Sequence, residues 1–261
     1  MLHGKSALIT GSLGGIGFAV ARALAAQGCA VMLHGLADAA TRAQHAAQLH
    51  AETGARVGQH GADLREPDQI ATLVRHTTDT LGGPDILVNN AVVRSFAPVE
   101  AFAPESWDAA LAVNLSAPFH AIRLALPGMR RAGWGRIVNL ASVYGLFATV
   151  NRIDYVTTKT ALIGLTRAVA LEVARTAITC NALCPGTVLT PAIEQRLEGE
   201  IAREGIGRAA AEARFLGTRQ PSGRFVAAEN VAGLVAFLCG PHGADINGAA
   251  LPIDGTWSAG R

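Results

Sequence analysis

Residues 10–17 read Thr10-Gly11-Ser12-Leu13-Gly14-Gly15-Ile16-Gly17 and directly follow a short apolar run. That run predicts a β-strand at 5–10, and the apolar spacing after the glycines predicts a helix at 16–27. Glycine permits a tight turn whose backbone approaches a pyrophosphate, and the unpaired N–H groups of a helix N-terminus attract that anion. A glycine cluster alone could be only a tight turn, but its position after the first strand predicts dinucleotide binding.

Strand-like runs alternate with helical stretches along the rest of the chain. The predicted strands are 5–10, 29–34, 56–60, 85–89, 136–140, 178–184 and 249–253, and the main predicted helices are 16–27, 38–53, 67–82, 104–131, 153–175 and 230–239. Such alternation requires parallel strands with right-handed crossovers. We therefore predict an α/β fold: one domain, 1–261, with a doubly wound parallel sheet of about seven strands and helices on both faces.

One segment, about 190–223, inserts polar helical sequence where a short crossover would suffice. Several glycines interrupt it: Gly199, Gly205, Gly207, Gly217 and Gly223. Because ligands of such sheets bind at the carboxyl ends of the strands, we predict that this segment is a mobile helical lid over them. The alternative is an elaborated pair of surface helices.

Composition excludes several classes of protein. The 261 residues include 22 Lys plus Arg and 20 Asp plus Glu without a basic run, which argues against a nucleic-acid partner. No uncharged apolar stretch has the length and purity to span a bilayer, so we expect no membrane partner and a cytoplasmic location. The four cysteines form no Cys-x-x-Cys pair, so we predict buried thiols and no metal site.

The choice between NAD and NADP depends on the end of the second strand, at His34-Gly35-Leu36-Ala37-Asp38. An acidic residue there would hold the ribose hydroxyls, and a basic residue would accept a 2′-phosphate. Neither occupies the strand end, and Asp38 lies late enough to cap the next helix instead. Since this loop and the glycine turn contain no Arg or Lys, we predict NAD.

The chain has two tyrosines, Tyr144 and Tyr155, both after the fifth predicted strand. Tyr155 and Lys159 are four residues apart on a predicted helix and therefore share a face. A nearby ammonium stabilises a phenolate, which favours proton transfer with an alcohol. Ser142 could hydrogen-bond the substrate oxygen, where negative charge develops during carbonyl reduction. A Tyr-x-x-x-Lys spacing is common by itself, but chance poorly explains it beside the glycine turn and a strand-end serine.

These motifs resemble, in order, those of the short-chain dehydrogenase/reductase family: Thr10-Gly-x-x-x-Gly-x-Gly17, Asn89-Asn90-Ala91, Asn114, Ser142, Tyr155-x-x-x-Lys159 and Pro185-Gly186. The resemblance implies a Rossmann-type fold, a nicotinamide cofactor and a homotetramer. It implies that Tyr155 is the acid/base and that Ser142 positions the substrate oxygen. Lys159 would bind the nicotinamide ribose and tune Tyr155, and Asn114 would hold a water of the proton relay.

The same resemblance implies a set of residues that contact the dinucleotide. They are Gly11, Gly15, Ile16, Gly17, Leu36, Asp63, Leu64, Asn90, Ala91, Tyr155, Lys159, Pro185, Gly186, Val188 and Thr190. The family usually continues Asn-Asn-Ala with glycine, whereas this chain has Val92. We expect that side chain to crowd the backbone approach to the cofactor without removing a reacting group.

Within the family, the sequence is similar to the bacterial D-3-hydroxybutyrate dehydrogenases. The similarity rests on the segments His34-Gly35-Leu-Ala-Asp38, Gly61-Ala-Asp-Leu64, Asn114-Leu-Ser-Ala117, Gln220-Pro-Ser222, Phe225-Val226 and Asp254-Gly255-x-Trp257. It implies reversible oxidation of (R)-3-hydroxybutyrate to acetoacetate. A catalytically silent NAD-binding protein on the same fold is an alternative, against which the intact reacting residues argue.

The implied substrate contacts are Arg94, Ser142, Tyr144, Arg152, Tyr155 and Arg196. Those enzymes hold the carboxylate with Gln, His, Lys and Gln where this chain has Arg94, Tyr144, Arg152 and Arg196, and Thr187 replaces an expected Trp. Three guanidiniums suit a larger or more highly charged anion, such as a dicarboxylate or a sulfonate. Alternatively, Arg94 or Arg196 pairs with a local acid such as Glu100 or Glu194.

Overall fold

The computed structural model describes residues 2–217 and 219–260, apart from the side chain of Ala192. Met1 and Arg261 of the predicted domain, and Thr218 of the predicted lid, lie outside the described residues. Seven parallel strands form one sheet: β1 (Ser6–Ile9), β2 (Ala30–His34), β3 (Val57–His60), β4 (Ile86–Asn89), β5 (Gly135–Leu140), β6 (Ile178–Pro185) and β7 (Ala250–Ile253). Their order is β3-β2-β1-β4-β5-β6-β7. The prediction of a Rossmann-type, doubly wound parallel sheet is confirmed.

The strand order reverses next to β1. Ala7 pairs with Val31 of β2 on one side and with Ile86 of β4 on the other. The chain therefore leaves β1 in one direction for β2 and β3 and returns to the other side at β4. Such a reversal opens a crevice at the carboxyl ends of the strands, where ligands of open α/β sheets bind.

Helices cover both faces of the sheet: α1 (Gly15–Ala25), α2 (Ala39–Thr53), α3 (Pro67–Leu81), α4 (Pro104–Leu111), α5 (Ala117–Ala132), α6 (Ile153–Val173), α7 (Pro191–Glu204), α8 (Arg208–Leu216) and α9 (Ala228–Cys239). The predicted helix 104–131 is interrupted by a π-helical turn, Ala112–Ser116, between α4 and α5. Asp38 caps α2 by accepting a hydrogen bond from the Thr41 N–H at 2.8 Å, which was one of the two roles considered for it.

Alternate residues of the central strands enter opposite cores. Ala7 and Ile9 pack on one face and Leu8 packs on the other, as the twofold repeat of a strand requires. The first core contains side chains from α1, α2 and α9: Val20, Leu24, Leu49, Val231, Val235 and Leu238. The second contains side chains from α3, α5 and α6: Ile70, Leu73, Ile122, Met129, Val169 and Val173. Burial on both sides holds the strand ends that carry the site.

One continuous helical stretch in the described part of the chain, Pro104–Ala132, is long and apolar enough by length and composition to cross a membrane. Of the most apolar 18-residue window of this stretch, 44% is buried inside the fold. Core helices of globular proteins pass the same test. The stretch is therefore weak evidence for a membrane span.

The segment predicted as a lid contains α7 and α8. Leu197, Ala211 and Leu216 are buried beneath these helices. Ile193 and Phe215 reach the wall of the crevice described below. The segment thus borders the carboxyl ends of the strands, and its movement stays a prediction.

Candidate active site

A cavity of about 1110 Å³ lies at the carboxyl ends of the strands, where the strand order reverses. All but two of the predicted site residues line it: Gly11, Gly15, Ile16, Leu36, Asp63, Leu64, Asn90, Ala91, Arg94, Ser142, Tyr144, Arg152, Tyr155, Lys159, Pro185, Gly186, Val188, Thr190 and Arg196. Gly17 and Asn114 lie behind this wall. Residues that are distant in sequence therefore share one space, which is large enough for a dinucleotide and a small substrate.

Glycine is required at specific points of the turn after β1. Gly11 and Gly15 have φ of 63° and 52°, a conformation that side chains with a Cβ disfavour. A Cβ at Gly11 would lie 2.8 Å from the Ala91 Cα. A Cβ at Gly17 would lie 2.6 Å from the Asn90 Nδ2 and would also meet the Gly11 carbonyl oxygen. Gly17 therefore acts from behind the wall, by letting α1 pack against the turn.

The side chain of Asn90 holds the turn from the next strand. Its Nδ2 donates to the carbonyl oxygens of Thr10 and Gly11 at 3.0 and 2.8 Å. The Thr10 hydroxyl oxygen in turn accepts the Asn90 and Ala91 N–H groups at 3.0 and 3.1 Å. Asn90 was predicted as a cofactor contact, and its side-chain amide nitrogen instead orients the glycine turn through these two hydrogen bonds.

His34 also supports the turn, a role that the sequence analysis missed. Its Nδ1 accepts the Gly11 N–H at 3.1 Å, and its Nε2 lies 2.8 Å from the Ala62 carbonyl oxygen, to which it can only donate. The ring is therefore the neutral Nε2–H tautomer. Burial, the largest cause, lowers the pKa of His34 below its usual 6.5. The sequence offered one signal for this role, because His34 ends β2 and the carboxyl ends of neighbouring parallel strands lie beside the turn.

Because neutral His34 is required, stability should fall in acid. The unfolded chain takes up the proton near pH 6.5, whereas the folded chain resists it until a lower pH. We expect the free energy of unfolding to be fully supported above about pH 6.5 and to decline below it. Urea titrations from pH 7.5 to 5 should show a shallower decline in H34Q than in the parent. An H50Q control keeps the His34 ring, and equal declines in H34Q and the parent would contradict the prediction.

Two arginines lie near the adenosine end of the predicted cofactor site. Arg65 lines the cavity, and its guanidinium is paired with the Asp63 carboxylate at 2.5 Å, which lowers the pKa of Asp63. Arg42 reaches back from α2, where it donates to the Ala37 carbonyl oxygen and, at 2.7 Å, to Gln59. The loop after β2 contains no Arg or Lys, but the side chain of Arg42 on α2 lies beside it.

Ser142 faces the cavity from the loop after β5, and Tyr155 and Lys159 face it from α6. The Ser142 hydroxyl oxygen accepts the Tyr144 N–H at 3.2 Å. The Lys159 Nζ donates to the Leu140 carbonyl oxygen at 2.6 Å and lies 5.6 Å from the centre of the Tyr155 ring. The predicted sharing of one helix face therefore brings the amine beside the phenol.

Burial sets the charge state of the amine. Lys159 is 3% exposed, and desolvation lowers its pKa to about 8. At neutral pH the group is still mostly the ammonium form. Desolvation raises the pKa of the neighbouring Cys184 thiol to about 11, so this thiol is neutral and places no negative charge near Lys159.

Asn114 lies in the π-helical turn between α4 and α5. Its Oδ1 accepts the Val93 N–H at 2.9 Å, and its Nδ2 donates to the Val93 carbonyl oxygen at 2.8 Å and to the Thr158 hydroxyl at 3.3 Å. The side chain therefore fixes the loop after β4. Its backbone carbonyl oxygen has no α-helical donor four residues later, because Pro118 lacks an N–H.

The guanidinium of Arg152 is surrounded by aromatic rings. It lies 3.9 Å from the ring centre of Phe96, 5.5 Å from that of Tyr144 and 5.7 Å from that of Tyr155. Trp257 packs edge-on against Tyr144 at 5.3 Å from the C-terminal segment. The structure thus places one cation next to the Tyr155 phenol. Trp257 occurs in a quoted motif, but its contribution to this wall was not predicted.

Arg94, Arg196 and a further residue, Arg219, line the same cavity. Arg196 lies over the Phe215 ring at 5.3 Å. Glu194, considered as a partner of Arg196, instead binds Arg208 at 2.8 Å. Among the described residues, no carboxylate lies within 4 Å of these three guanidiniums, so the local pairing considered as an alternative for Arg94 or Arg196 is not found. Arg219 was missed, although it directly precedes the quoted segment at Gln220.

Two departures from the family pattern also face the cavity. Val92 lines it and is 41% exposed, so its side chain stands at the surface where the family has glycine. Its φ lies outside the left-handed region, so the backbone is not strained by the substitution. Thr187 lines the cavity where a larger ring was expected. The effect of Val92 on the cofactor stays a prediction.

Comparison with known proteins agrees with this geometry. Residues 5–201 match the short chain dehydrogenase family. The chain is 44% identical to D-beta-hydroxybutyrate dehydrogenase of Cupriavidus necator over 99% of this chain and 100% of that one. It is 42% identical to D-beta-hydroxybutyrate dehydrogenase of Rhizobium meliloti over 98% and 99% of the two chains.

Solved structures with the same fold include L-sorbose reductase from Gluconobacter frateurii complexed with NADPH and L-sorbose. It matches with a TM-score of 0.94 and 29% identity over 98% of this chain and 97% of that one. Levodione reductase matches with a TM-score of 0.89 and 32% identity over 100% of both chains. The chain is therefore an oxidoreductase that belongs to the short-chain dehydrogenase family, whose members use a nicotinamide cofactor.

Proposed function

We propose that the protein catalyses the NAD-dependent, reversible oxidation of a short anionic hydroxy acid, with (R)-3-hydroxybutyrate to acetoacetate as the reference reaction. The observation that carries the proposal is Arg152, whose guanidinium lies beside the ring of Tyr155. An arginine in that position binds a carboxylate with two parallel hydrogen bonds and holds the adjoining hydroxyl near the phenol. The two D-beta-hydroxybutyrate dehydrogenases at 44% and 42% identity support the same chemistry.

The cavity fits a dinucleotide on its own features. Gly15 begins α1 with positive φ, and only the Thr190 Cγ2, at 3.9 Å, lies near the position of a Cβ, so the helix N-terminus has open space in front of it. The Thr190 hydroxyl oxygen is buried without a partner in the described residues, which leaves it free for a ligand. A nicotinamide held in this cavity would supply the acceptor for the hydride, which takes both electrons of the broken carbinol C–H bond, so that the alcohol would become a ketone.

The protein's own groups handle the hydroxyl proton. Tyr155 accepts it in the oxidation and returns it in the reverse direction. Ser142 already accepts the Tyr144 N–H, so its own O–H is available to donate to the substrate oxygen. The buried ammonium of Lys159 stabilises the phenolate and retains two N–H donors after its bond to Leu140, which suit a ribose hydroxyl and a water.

Asn114 contributes through its backbone in this proposal. Its side chain is occupied by Val93 and Thr158, so it has little capacity for a relay water. Pro118 removes the α-helical donor to the Asn114 carbonyl oxygen, which favours a hydrogen bond from that water to this oxygen. The π-helical turn and the proline together interrupt the regular α-helical hydrogen bonding at this point.

NAD is the proposed cofactor rather than NADP. At the end of β2 the cavity is lined by Gly35 and Leu36, neither of which carries a charge. Arg42 is held by Ala37 and Gln59, and Arg65 is held by Asp63, so both nearby cations already have partners. A free cation for a 2′-phosphate is therefore absent from the described cavity wall at this end.

A homotetramer in the cytoplasm completes the proposal. Phe119 on α5 and Leu171 on α6 are 47% and 79% exposed. Large apolar side chains on neighbouring outer helices favour contacts between subunits. The family resemblance supports the tetrameric state.

The direct test follows dinucleotide reduction with (R)-3-hydroxybutyrate, separately with NAD and NADP, in the parent and in R152Q. We expect turnover with NAD and a KM about 10–100-fold higher in R152Q, because a charge-assisted hydrogen bond contributes about 1.5–3 kcal/mol. R152K should recover part of the loss. An R75Q control removes a positive charge from exposed α3, outside the cavity wall. Preference for NADP, or an unchanged KM in R152Q, would contradict the corresponding part of the proposal.

A further inference from the structure

The substrate end of the cavity carries more positive charge than a monocarboxylate needs. Four guanidiniums line it, from four separate segments: Arg94 after β4, Arg152 before α6, Arg196 on α7 and Arg219 after α8. Among the described residues that line the cavity, Asp63 supplies the one carboxylate. Asp63 follows β3 and is paired with Arg65. Four strand positions separate β3 from β5, or about 19 Å at the usual strand spacing.

The arginines of the cavity differ from their neighbours in how they are neutralised. On α7 and α8, the helices near Arg196, Arg208 binds Glu194 and Glu212. Arg214 pairs with Glu200 at 3.4 Å. The outer surface of these two helices therefore balances its charges. Arg94, Arg152, Arg196 and Arg219 have no carboxylate within 4 Å in residues 2–217 and 219–260. Within the described residues of α7 and α8, the arginine without a carboxylate partner is therefore Arg196, the one that faces the cavity.

These cations also act on one another. Arg152 is half-buried, and burial is the largest cause that lowers its pKa. The charges of Arg94 and Arg219 lower this pKa further, whereas Tyr144 and Tyr155 raise it. Arg94 similarly disfavours the ammonium of Lys159. Like charges held together in a partly desolvated cavity cost free energy unless an anion joins them. One carboxylate bound by Arg152 leaves the other three uncompensated.

We infer that the substrate carries a second anionic group, a carboxylate or a sulfonate, in addition to the carboxylate bound by Arg152. This inference rests on the proposed hydroxy-acid oxidation and narrows its substrate class. The second group would meet Arg94, Arg196 and Arg219, two of which lie on or beside the helical segment over the cavity. Thr187, a small residue on the cavity wall, leaves room for the longer molecule. The carbinol chemistry is unchanged, because both anions remain outside the bonds that break.

Three acids separate charge from length. 3-Hydroxyglutarate is 3-hydroxybutyrate with a carboxylate on the terminal methyl, and 3-hydroxyhexanoate has a similar length without the second charge. We expect kcat/KM for 3-hydroxyglutarate to exceed that for each of the other two by at least about 10-fold, the ratio that about 1.4 kcal/mol provides. 3-Hydroxy-4-sulfobutyrate distinguishes a sulfonate from a second carboxylate. A preference for 3-hydroxybutyrate over both dianions would overturn the inference.

Arginine variants test whether these guanidiniums cause the preference for the dianion. In R94Q, R196Q and R219Q we expect the ratio of kcat/KM for 3-hydroxyglutarate to that for 3-hydroxybutyrate to fall, by about 10-fold in at least one. R75Q controls for long-range attraction of the dianion, since it removes the same charge from outside the cavity. An unchanged ratio in all three variants, or an equal fall in R75Q, would overturn the inference.

The outcomes separate the inference from the proposed function. If 3-hydroxybutyrate is oxidised and 3-hydroxyglutarate is not preferred, the proposed function stands and the second anionic group is wrong. If all the acids fail while NADH still binds, the proposed hydroxy-acid activity itself is wrong. NADH binding is followed by fluorescence, which does not depend on turnover.

Discussion

Replacement of Tyr155 by phenylalanine should lower kcat/KM by about 10²–10⁴-fold, the range that a positioned general acid or base contributes. The variant keeps the ring and its packing near Arg152 and Lys159. It loses the hydroxyl that exchanges a proton with the alcohol, so the chemical step suffers while the dinucleotide still binds. Initial rates with (R)-3-hydroxybutyrate and NAD, together with an NADH fluorescence titration, measure the two effects separately.

Y144F is the matched control, because Tyr144 is the other tyrosine of the chain and lines the same cavity. It removes the same atom at an edge-on ring contact 6.4 Å from Tyr155, between the two ring centres. We expect a change mainly in KM, of less than about 10-fold, since one neutral hydrogen bond is worth about 0.5–1.5 kcal/mol. Turnover by Y155F at the parental rate would disprove the acid/base role.

Substitution of Gly17 by alanine should damage the dinucleotide site without touching its wall. The added Cβ would lie 2.6 Å from the Asn90 Nδ2 and 2.9 Å from the Ser12 Cα, and both atoms belong to the turn or its support. Overpacking of this kind costs about 1–3 kcal/mol. We expect a lower Tm and a Kd for NADH that is raised about 10-fold or more, because Asn90 must release the turn that forms the phosphate cradle.

G233A is the control for that experiment. Gly233 is exposed within α9, and a Cβ built there meets no atom within 4 Å. Alanine in a helix interior is favoured over glycine by about 1 kcal/mol, so this variant should be as stable as the parent or more so. If G17A binds NADH as tightly as G233A does, close packing behind the turn is not what maintains the site.

The glycine turn and the reacting residues are supported in different ways. The turn depends on hydrogen bonds from neighbouring strands, supplied by Asn90 and His34. The proposed acid/base pair depends on one helix, α6, whose 3.6-residue period places Tyr155 and Lys159 side by side. Acid or overpacking should therefore affect cofactor binding first, whereas substitution of Tyr155 should affect chemistry first.

Local patterns in the sequence were sufficient to predict the alternation of strands and helices. β1 and α1 were predicted to within about two residues, because apolar period and glycine punctuation are local properties. The π-helical turn at Ala112–Ser116 was missed, since it depends on how one helix fits its neighbours and on a proline that withholds a donor. The interruption matters because it contains Asn114.

What the sequence by itself determined is the order of the elements, the glycine turn and the spacing that puts Tyr155 beside Lys159. These follow from short-range periodicity and steric rules that act within a few residues. Only the tertiary structure decided which distant charges meet: it tied Arg42 to the loop after β2, paired Glu194 with Arg208 rather than Arg196, and added Arg219 to the cavity. Long, flexible cationic side chains can reach several partners, and the packing of separate segments selects among them.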